Sequence, residues 1–339
     1  MCAKKRFTYQ EYVEGILSQD QNILSQTITL IESKLKTDQQ IAQQVLKKIL
    51  PYTTQSLRIG ITGIPGSGKS TLIETLGNHI LRVGKKLAVL TIDPSSIRSK
   101  GSILGDKTRM KMLSQHPSAF VRPSPSGSSL GGVGYKTREC ILLCEAAGYD
   151  IVIVETIGVG QSETMVHAMT DFFLLLMLPG TGDELQGIKR GIIEMADLIA
   201  INKADGQRKQ PAKEAKNIYE QVLYLFRNTK SGWEPKVITC SALKEEGIDV
   251  MWTLIGQYQD ITQQNGYFDQ RRREQNLYWM HEIIQQLLKD HFYQHPKIRE
   301  ALPALEDQVV AGKTTALNAA RKLMELEREP TDSSNLEEK

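Results

Sequence analysis

The chain has 339 residues, 40% of them hydrophobic and 24% charged, and its formal net charge is +3. This hydrophobic content is enough for a substantial core, and so small a net charge argues against nucleic acid as a partner. No apolar run reaches the roughly 18 residues that a membrane-spanning helix needs, and the first residues lack the apolar segment of a secretory signal. Cys2, Cys140, Cys144 and Cys240 suit a reducing compartment, so we predict a cytoplasmic protein without a membrane partner.

Four regions follow one another along the chain. Residues 1–55 place apolar side chains at helical spacing, which predicts an amino-terminal helical extension that covers a neighbouring surface. Residues 56–258 alternate apolar runs with helical segments, which predicts an α/β domain with a mostly parallel central sheet. Residues 259–326 return to helical spacing, and the charged residues 327–339 lack periodicity and are predicted to be disordered.

The α/β region contains seven apolar runs that are predicted to be strands. They are residues 57–62, 87–92, 118–122, 151–155, 172–178, 198–202 and 236–240. In a parallel sheet the carboxyl ends of the strands meet at one edge, where such sheets bind ligands. The polar motifs that follow these runs are therefore expected to lie close together.

A complete G-x-x-x-x-G-K-S phosphate loop follows the first run. Its glycines allow successive backbone N–H groups to turn toward a phosphate, and the next helix directs its positive end at the same anion. Lys69 would contact the β- and γ-phosphates, and Ser70 would offer its hydroxyl to Mg²⁺. The sequence therefore predicts a nucleoside triphosphate site with contacts from Gly63, Ile64, Pro65, Gly66, Ser67, Gly68, Lys69, Ser70 and Thr71.

The base is indicated by two later motifs. Asn202-Lys203-Ala204-Asp205 follows the sixth run, and Asp205 can accept hydrogen bonds from guanine N1–H and N2–H₂, for which adenine has no matching donors. Ser241-Ala242-Leu243 follows the seventh run and offers backbone N–H groups to guanine O6. The expected ligand is GTP or its product GDP.

Two other patterns are interpreted as ordinary structure. Cys140 and Cys144 are four residues apart on a predicted helix, and we interpret them as small buried hydrophobic residues rather than metal ligands. Residues 312–315 spell Gly-Lys-Thr-Thr, like the end of a second phosphate loop. However, Asp307 stands where the first glycine belongs and no strand precedes it, so we interpret this segment as helix.

The fourth run ends at Glu155, where most GTPases carry the Asp of D-x-x-G. With this motif the chain resembles the MeaB/ArgK family of GTPases, which includes the methylmalonyl-CoA mutase-associated GTPases of the SIMIBI class. The resemblance extends over about residues 10–325. Its most specific strings are residues 93–96, 101–110, 122–125, 130–133, 155–161 and 179–189.

The resemblance implies a P-loop GTPase that acts as a chaperone of methylmalonyl-CoA mutase. Such a chaperone gates the delivery of adenosylcobalamin to the mutase and protects or reactivates it. A homodimer joined through the carboxyl-terminal helical arm is implied, and an adenosyltransferase is a further candidate partner. No cobalamin site is assigned to this chain. The client is left open among methylmalonyl-, isobutyryl- and ethylmalonyl-CoA mutases.

Two other classes of protein stay as alternatives. A nickel-insertion GTPase would share the sheet and the glutamate motif, but the six histidines of this chain form no metal-binding cluster. A kinase of transport proteins would prefer ATP, and Asp205 argues against that preference.

Metal and catalytic residues are predicted with help from the resemblance. Mg²⁺ is expected at Ser70, Asp93, Asp106 and Glu155. The catalytic set consists of Lys69, Asp93, Asp106, Arg109, Glu155 and Lys189.

Hydrolysis is expected to be slow when the protein is alone. Many GTPases have a water-orienting Gln directly after D-x-x-G, but Val159 occupies that position here and Gln161 comes two residues later. A missing charge-neutralising or water-positioning group typically changes the rate by about 10³ to 10⁵. Arg109 and Lys189 are the candidates within the chain, and the glycine-containing loop 179–189 is predicted to be a switch.

Overall fold

A computed structural model describes residues 7–53, 56–92, 110–124, 130–156, 162–180, 190–225 and 230–328. The chain divides into two compact units, with the boundary between Tyr278 and Trp279. No helix in these described ranges is both long enough and apolar enough to cross a membrane.

A seven-stranded sheet forms the centre of the first unit. Its strands are β1 Leu57–Gly63, β2 Leu87–Ile92, β3 Ala119–Ser124, β4 Ile151–Thr156, β5 Phe172–Met177, β6 Leu198–Ile201 and β7 Lys236–Thr239. The strand order is β3-β2-β4-β1-β5-β6-β7, and every described pair is parallel. All seven predicted runs are strands, and the predicted α/β fold is confirmed.

Helices cover both faces of this sheet. In chain order the described helices of the first unit include α1 Tyr9–Leu17, α2 Gln21–Glu32, α3 Lys36–Ile49, α4 Lys69–Arg82, α5 Lys111–Gln115, α6 Leu130–Ala146, α7 Ser162–His167, α8 Arg190–Glu194, α9 Lys209–Tyr224 and α10 Ile248–Gln264. The core on one face joins β1 and β5 to α4 and α10, and the core on the other face joins β5 and β6 to α9. Strands buried on both faces explain why β1, β2, β4, β5 and β6 read as continuous apolar runs.

The amino-terminal helices α1, α2 and α3 contact one another and α6. Thr8 caps α1 through a capping box with Glu11, and Asp20 caps α2 by accepting hydrogen bonds from Asn22 N and Ile23 N. Glu32 of α2 forms an ion pair of 2.7 Å with Arg122 of β3. These contacts attach the helical extension to the first edge of the sheet.

A buried ion network lies at the amino end of β1. The Arg58 guanidinium donates two hydrogen bonds to Glu145 of α6, at 2.8 and 2.9 Å. Arg272 contacts the same carboxylate at 3.7 Å and pairs with Asp171 at 2.7 Å. The network therefore ties β1, α6 and the segment before β5 to one another.

Helix α11, Tyr267–Gln294, begins in the first unit and ends in the second, which also contains α12 Pro296–Val310 and α13 Ala316–Arg328. The core of the second unit is formed by Ile298, Leu305, Ala319 and Leu323. Residues 311–315 form the turn between α12 and α13, and Gly312 has φ +68° there. The interpretation of 312–315 as helix was wrong, because only glycine readily adopts this backbone conformation. Helix α13 includes Glu327, and residues 329–339 lie outside the described residues.

Candidate nucleotide-binding site

The predicted nucleotide motifs meet at the carboxyl edge of the sheet. β1 lies at its centre and pairs with β4 and β5, and β6 and β7 follow on the β5 side. The phosphate loop follows β1, Glu155 lies at the end of β4, and the two guanine motifs follow β6 and β7. These motifs are up to 180 residues apart in the sequence, and the parallel arrangement of the strands brings them close together.

The phosphate loop has the backbone that an anion cradle requires. Gly66 and Gly68 have φ of +79° and +91°, and α4 begins at Lys69. A Cβ atom added to Gly68 would lie 2.7 Å from Asn202 Nδ2, so a side chain does not fit there. The Ser67 hydroxyl is buried, and no described residue forms a hydrogen bond with it. An unpartnered hydroxyl under a helix amino terminus fits a loop that receives phosphate oxygens.

Lys69 is buried beneath this loop. Its Nζ donates hydrogen bonds to Gly63 O at 2.8 Å and Ile64 O at 3.2 Å. Burial lowers the pKa of Lys69, and the negative charges of Glu155 and Glu163 oppose that shift. The amine is therefore held by two backbone carbonyls at the position where a phosphate would supply the counter-charge.

Two predicted magnesium ligands touch each other. Ser70 Oγ donates to Glu155 Oε1 at 3.2 Å, and the hydroxyls of Thr62 and Thr156 lie 2.8 Å apart between β1 and β4. A hydroxyl beside a carboxylate is the type of oxygen donor that Mg²⁺ prefers, so this pair fits a metal bound together with phosphates. In the part of the chain that the structure describes, no cluster of three or more His, Cys, Asp or Glu could hold a metal by itself.

Asn202 joins the phosphate loop to the guanine motifs. Its Nδ2 donates to Ser67 O at 2.8 Å, and its Oδ1 accepts from Ala242 N at 3.0 Å. The side chain is 2% exposed. We predicted Asn202 as a nucleotide-binding residue, and the structure places its side chain between the phosphate loop and the loop that follows β7.

Asp205 lies beside the loop after β7. Its Oδ2 accepts a hydrogen bond of 2.5 Å from Ser241 Oγ, which in turn accepts from Lys244 N at 3.2 Å. Lys203 has φ +59°, and Ala204 N donates to Cys240 O at 3.0 Å. The Asp205 carboxylate is thus oriented by the side chain of Ser241, which we had predicted to contribute only a backbone N–H group.

Several predicted residues lie outside the described residues. They are Asp93, Asp106, Arg109 and Lys189, together with residues 157–161 and 181–189. The structure adds one residue that sequence reasoning missed. Glu163 is 5% exposed and contributes negative charge near Lys69. The sequence could have indicated Glu163, because it is an acidic residue two positions after the Gln161 of the glutamate motif.

Comparison with known proteins identifies the family. The family model described as methylmalonyl Co-A mutase-associated GTPase MeaB matches residues 24–297. The Escherichia coli protein named GTPase ArgK is 42% identical over 311 residues, which cover 91% of this chain and 94% of that protein. The Mus musculus protein named methylmalonic aciduria type A homolog, mitochondrial, is 43% identical over 331 residues, which cover 95% of this chain and 80% of that protein.

A solved structure supports the same assignment. The crystal structure of a LAO/AO transport system kinase matches with a TM-score of 0.74 and 35% identity, and the match covers 96% of this chain and 100% of that one. The family match includes the phosphate loop, the glutamate motif and both guanine motifs. The chain therefore belongs to the MeaB family of GTPases and is an enzyme that hydrolyses GTP.

Proposed function

We propose that this GTPase is a chaperone of a B12-dependent acyl-CoA mutase, with methylmalonyl-CoA mutase as the first candidate. It would gate the delivery of adenosylcobalamin and protect or reactivate the mutase. The observation that carries this proposal is the match of residues 24–297 to a family described as mutase-associated. The name of the mouse relative, which refers to methylmalonic aciduria, supports the same client.

The residues of the candidate site have distinct proposed roles. Lys69 exchanges the carbonyls of Gly63 and Ile64 for the β- and γ-phosphates, and the N–H groups of residues 66–71 hold the same oxygens. Ser70 and Glu155 would hold Mg²⁺, together with Asp93 and Asp106. The bound metal would offset the negative charge that develops on the phosphates.

Asp205 is proposed to select guanine. The hydrogen bond from Ser241 leaves Asp205 Oδ1 as the oxygen to meet the base, and the loop that carries Ala242 and Leu243 provides backbone donors for O6. Asp205→Asn should weaken GDP binding and improve xanthosine diphosphate binding, because xanthine offers an acceptor where guanine offers the N2 amino group. Titration calorimetry with both nucleotides measures the change, and Asp260→Asn on the exposed side of α10 is the control. An unchanged preference for GDP in Asp205→Asn would contradict the assignment.

We expect GTP hydrolysis to depend on a partner, because Val159 stands where many GTPases carry a water-orienting Gln. The proposed mutase would bring Lys189 to the transferred phosphate, which accelerates hydrolysis without changing ground-state affinity. Single-turnover GTP hydrolysis is measured with and without purified methylmalonyl-, isobutyryl- and ethylmalonyl-CoA mutases, and cofactor occupancy is read by cobalamin absorbance.

We expect acceleration with one mutase, loss of that acceleration in Lys189→Ala, and normal acceleration in the control Lys213→Ala on exposed α9. No acceleration and no effect of GTP on cofactor occupancy with any mutase would refute the chaperone role. The GTPase assignment would be unaffected by that outcome.

A homodimer through the carboxyl-terminal arm is also proposed. In the second unit, Met280, Ile284, Leu287 and Leu288 are 44 to 63% exposed and share one stripe of α11. A second copy of the chain would cover these apolar side chains. Leu287→Glu should produce a monomer in sedimentation experiments, whereas Lys289→Glu on the same helix should not. A native chain that is monomeric at micromolar concentration would refute the dimer.

A further inference from the structure

A cavity of about 460 Å³ opens at the amino edge of the sheet, opposite the carboxyl edge that carries the nucleotide motifs. It lies entirely within the first unit. Its walls come from the end of α7, from α8, from the segments that precede β6 and β7, and from the first three turns of α11. The volume falls within the range of small-molecule sites, about 300 to 1,000 Å³.

Two buried polar side chains that line this cavity have atoms without a hydrogen-bond partner among the described residues. Arg271 is 9% exposed, donates one long hydrogen bond of 3.5 Å from NH1 to Tyr258, and has no partner for NH2. Gln275 is 7% exposed, donates from Nε2 to Thr170 O at 2.8 Å, and has no partner for Oε1. The two residues are four positions apart on α11, so they lie on the same face of that helix.

A single ligand that carries both an acceptor and a donor could satisfy Arg271 NH2 and Gln275 Oε1. A buried guanidinium nitrogen requires an acceptor, and a carboxylate is the acceptor that binds guanidinium most strongly. The amide Oε1 requires a donor close to that acceptor. A buried polar group without a partner destabilises the folded state, which is why such groups are rare in native structures.

The charged residues that line the cavity indicate which type of carboxylate ligand would bind there. Besides Arg271 it contains Asp197, Glu194 and Glu274. Asp197 Oδ2 accepts a hydrogen bond from Phe173 N, and burial raises the pKa of Asp197 to about 6. Glu274 is exposed and accepts from Gln270 Nε2 at 2.9 Å. His167 contributes no charge, because burial lowers its pKa to about 3.

Among the described lining residues, acidic groups therefore outnumber the single cation Arg271, and a ligand with a carboxylate alone would be repelled by them. A ligand that also carries a positive charge would be attracted. Trp233, Tyr267 and Tyr278 add aromatic surface for an apolar side chain.

The geometry points to a binding site for a free α-amino acid. The α-carboxylate binds Arg271, the α-ammonium donates to Gln275 Oε1 near Glu194 and Glu274, and the side chain lies against the aromatic wall. The site is separate from the nucleotide residues, and it is bordered by α7 and α8.

Titration calorimetry of the full-length protein tests this assignment. The probes are L-alanine, L-leucine and L-phenylalanine, with acetate, ethylammonium and N-acetyl-L-alanine as partial ligands. We expect at least one amino acid to bind about tenfold more tightly than any partial ligand. The assignment is overturned if no amino acid binds, which would mean that water satisfies the two atoms, or if acetate binds as tightly as the amino acids.

Variants identify the site of binding. Gln275→Leu should weaken amino-acid binding about fivefold or more, and Glu274→Gln, at an exposed position, should weaken it about threefold without affecting acetate. Arg273→Gln is the matched control, since Arg273 is exposed on α11 and does not line the cavity. Thermal unfolding checks that each variant is folded. Native affinity in both Gln275→Leu and Glu274→Gln would place the bound amino acid elsewhere and refute the inference.

Discussion

Asn202 provides the sharpest test of how the nucleotide site is held together. Asn202→Ala removes the hydrogen bonds to Ser67 O and from Ala242 N, and neither of these buried backbone groups has another hydrogen-bond partner among the described residues. Each buried group left unsatisfied costs about 1–3 kcal/mol, so two groups predict a loss of about 2–6 kcal/mol. This loss is a large fraction of the stability of a typical domain.

The position of Asn202 also predicts an effect on ligand binding. Without it, the phosphate loop and the loop that carries Ala242 lose their direct link, and the site must be ordered when nucleotide binds. GDP affinity should fall at least tenfold, which corresponds to about 1.4 kcal/mol. Asn202→Asp should weaken affinity as well, because it keeps an acceptor for Ala242 N but places a second oxygen against Ser67 O.

Urea unfolding of the nucleotide-free protein measures the first effect, and titration with a fluorescent GDP analogue measures the second. Asn217→Ala, at an exposed position of α9, is the matched control and should change neither quantity. If Asn202→Ala unfolds within about 0.5 kcal/mol of the native chain and binds GDP normally, the bridging role is refuted.

Further substitutions test the packing around the site. Glu145→Ala should destabilise the protein by about 3–5 kcal/mol in urea unfolding, because it leaves the buried Arg58 guanidinium unpaired. The control Glu245→Ala removes an exposed ion pair and should cost less than about 1 kcal/mol. Equal losses of stability in the two variants would contradict the importance of the buried pair. Gly68→Ala should abolish GDP binding, because its Cβ would lie 2.7 Å from Asn202 Nδ2, whereas Gly84→Ala also strains a positive φ but meets open space and should bind GDP normally. Retained GDP binding in Gly68→Ala would show that the loop can move away from Asn202.

The sequence predicted the fold because the relevant signals are local. Seven apolar runs separated by helical segments can be covered on both faces only in a parallel sheet with helices on either side. The phosphate loop is equally local, since its glycines and Lys69 lie within eight residues and their spacing dictates the cradle. The motif Gly-Lys-Thr-Thr at 312–315 was misjudged, because helical periodicity on both sides concealed the left-handed turn at Gly312.

Only the tertiary structure decided how distant residues combine. Asn202 and Ser67 are 135 positions apart and meet because β1 and β6 end at the same edge of the sheet, and no periodicity in the sequence encodes that hydrogen bond. For the same reason the sequence does not reveal that Ser241 donates to Asp205, because this contact depends on the pairing of β6 with β7. In the sequence, Arg271 is the first of three consecutive arginines, and no local pattern marks it as buried. Its burial at the opposite edge of the sheet became evident only when α11 was placed against the strands. Local sequence thus determined the elements and the chemistry of each motif, whereas the packing of the strands determined which side chains act together.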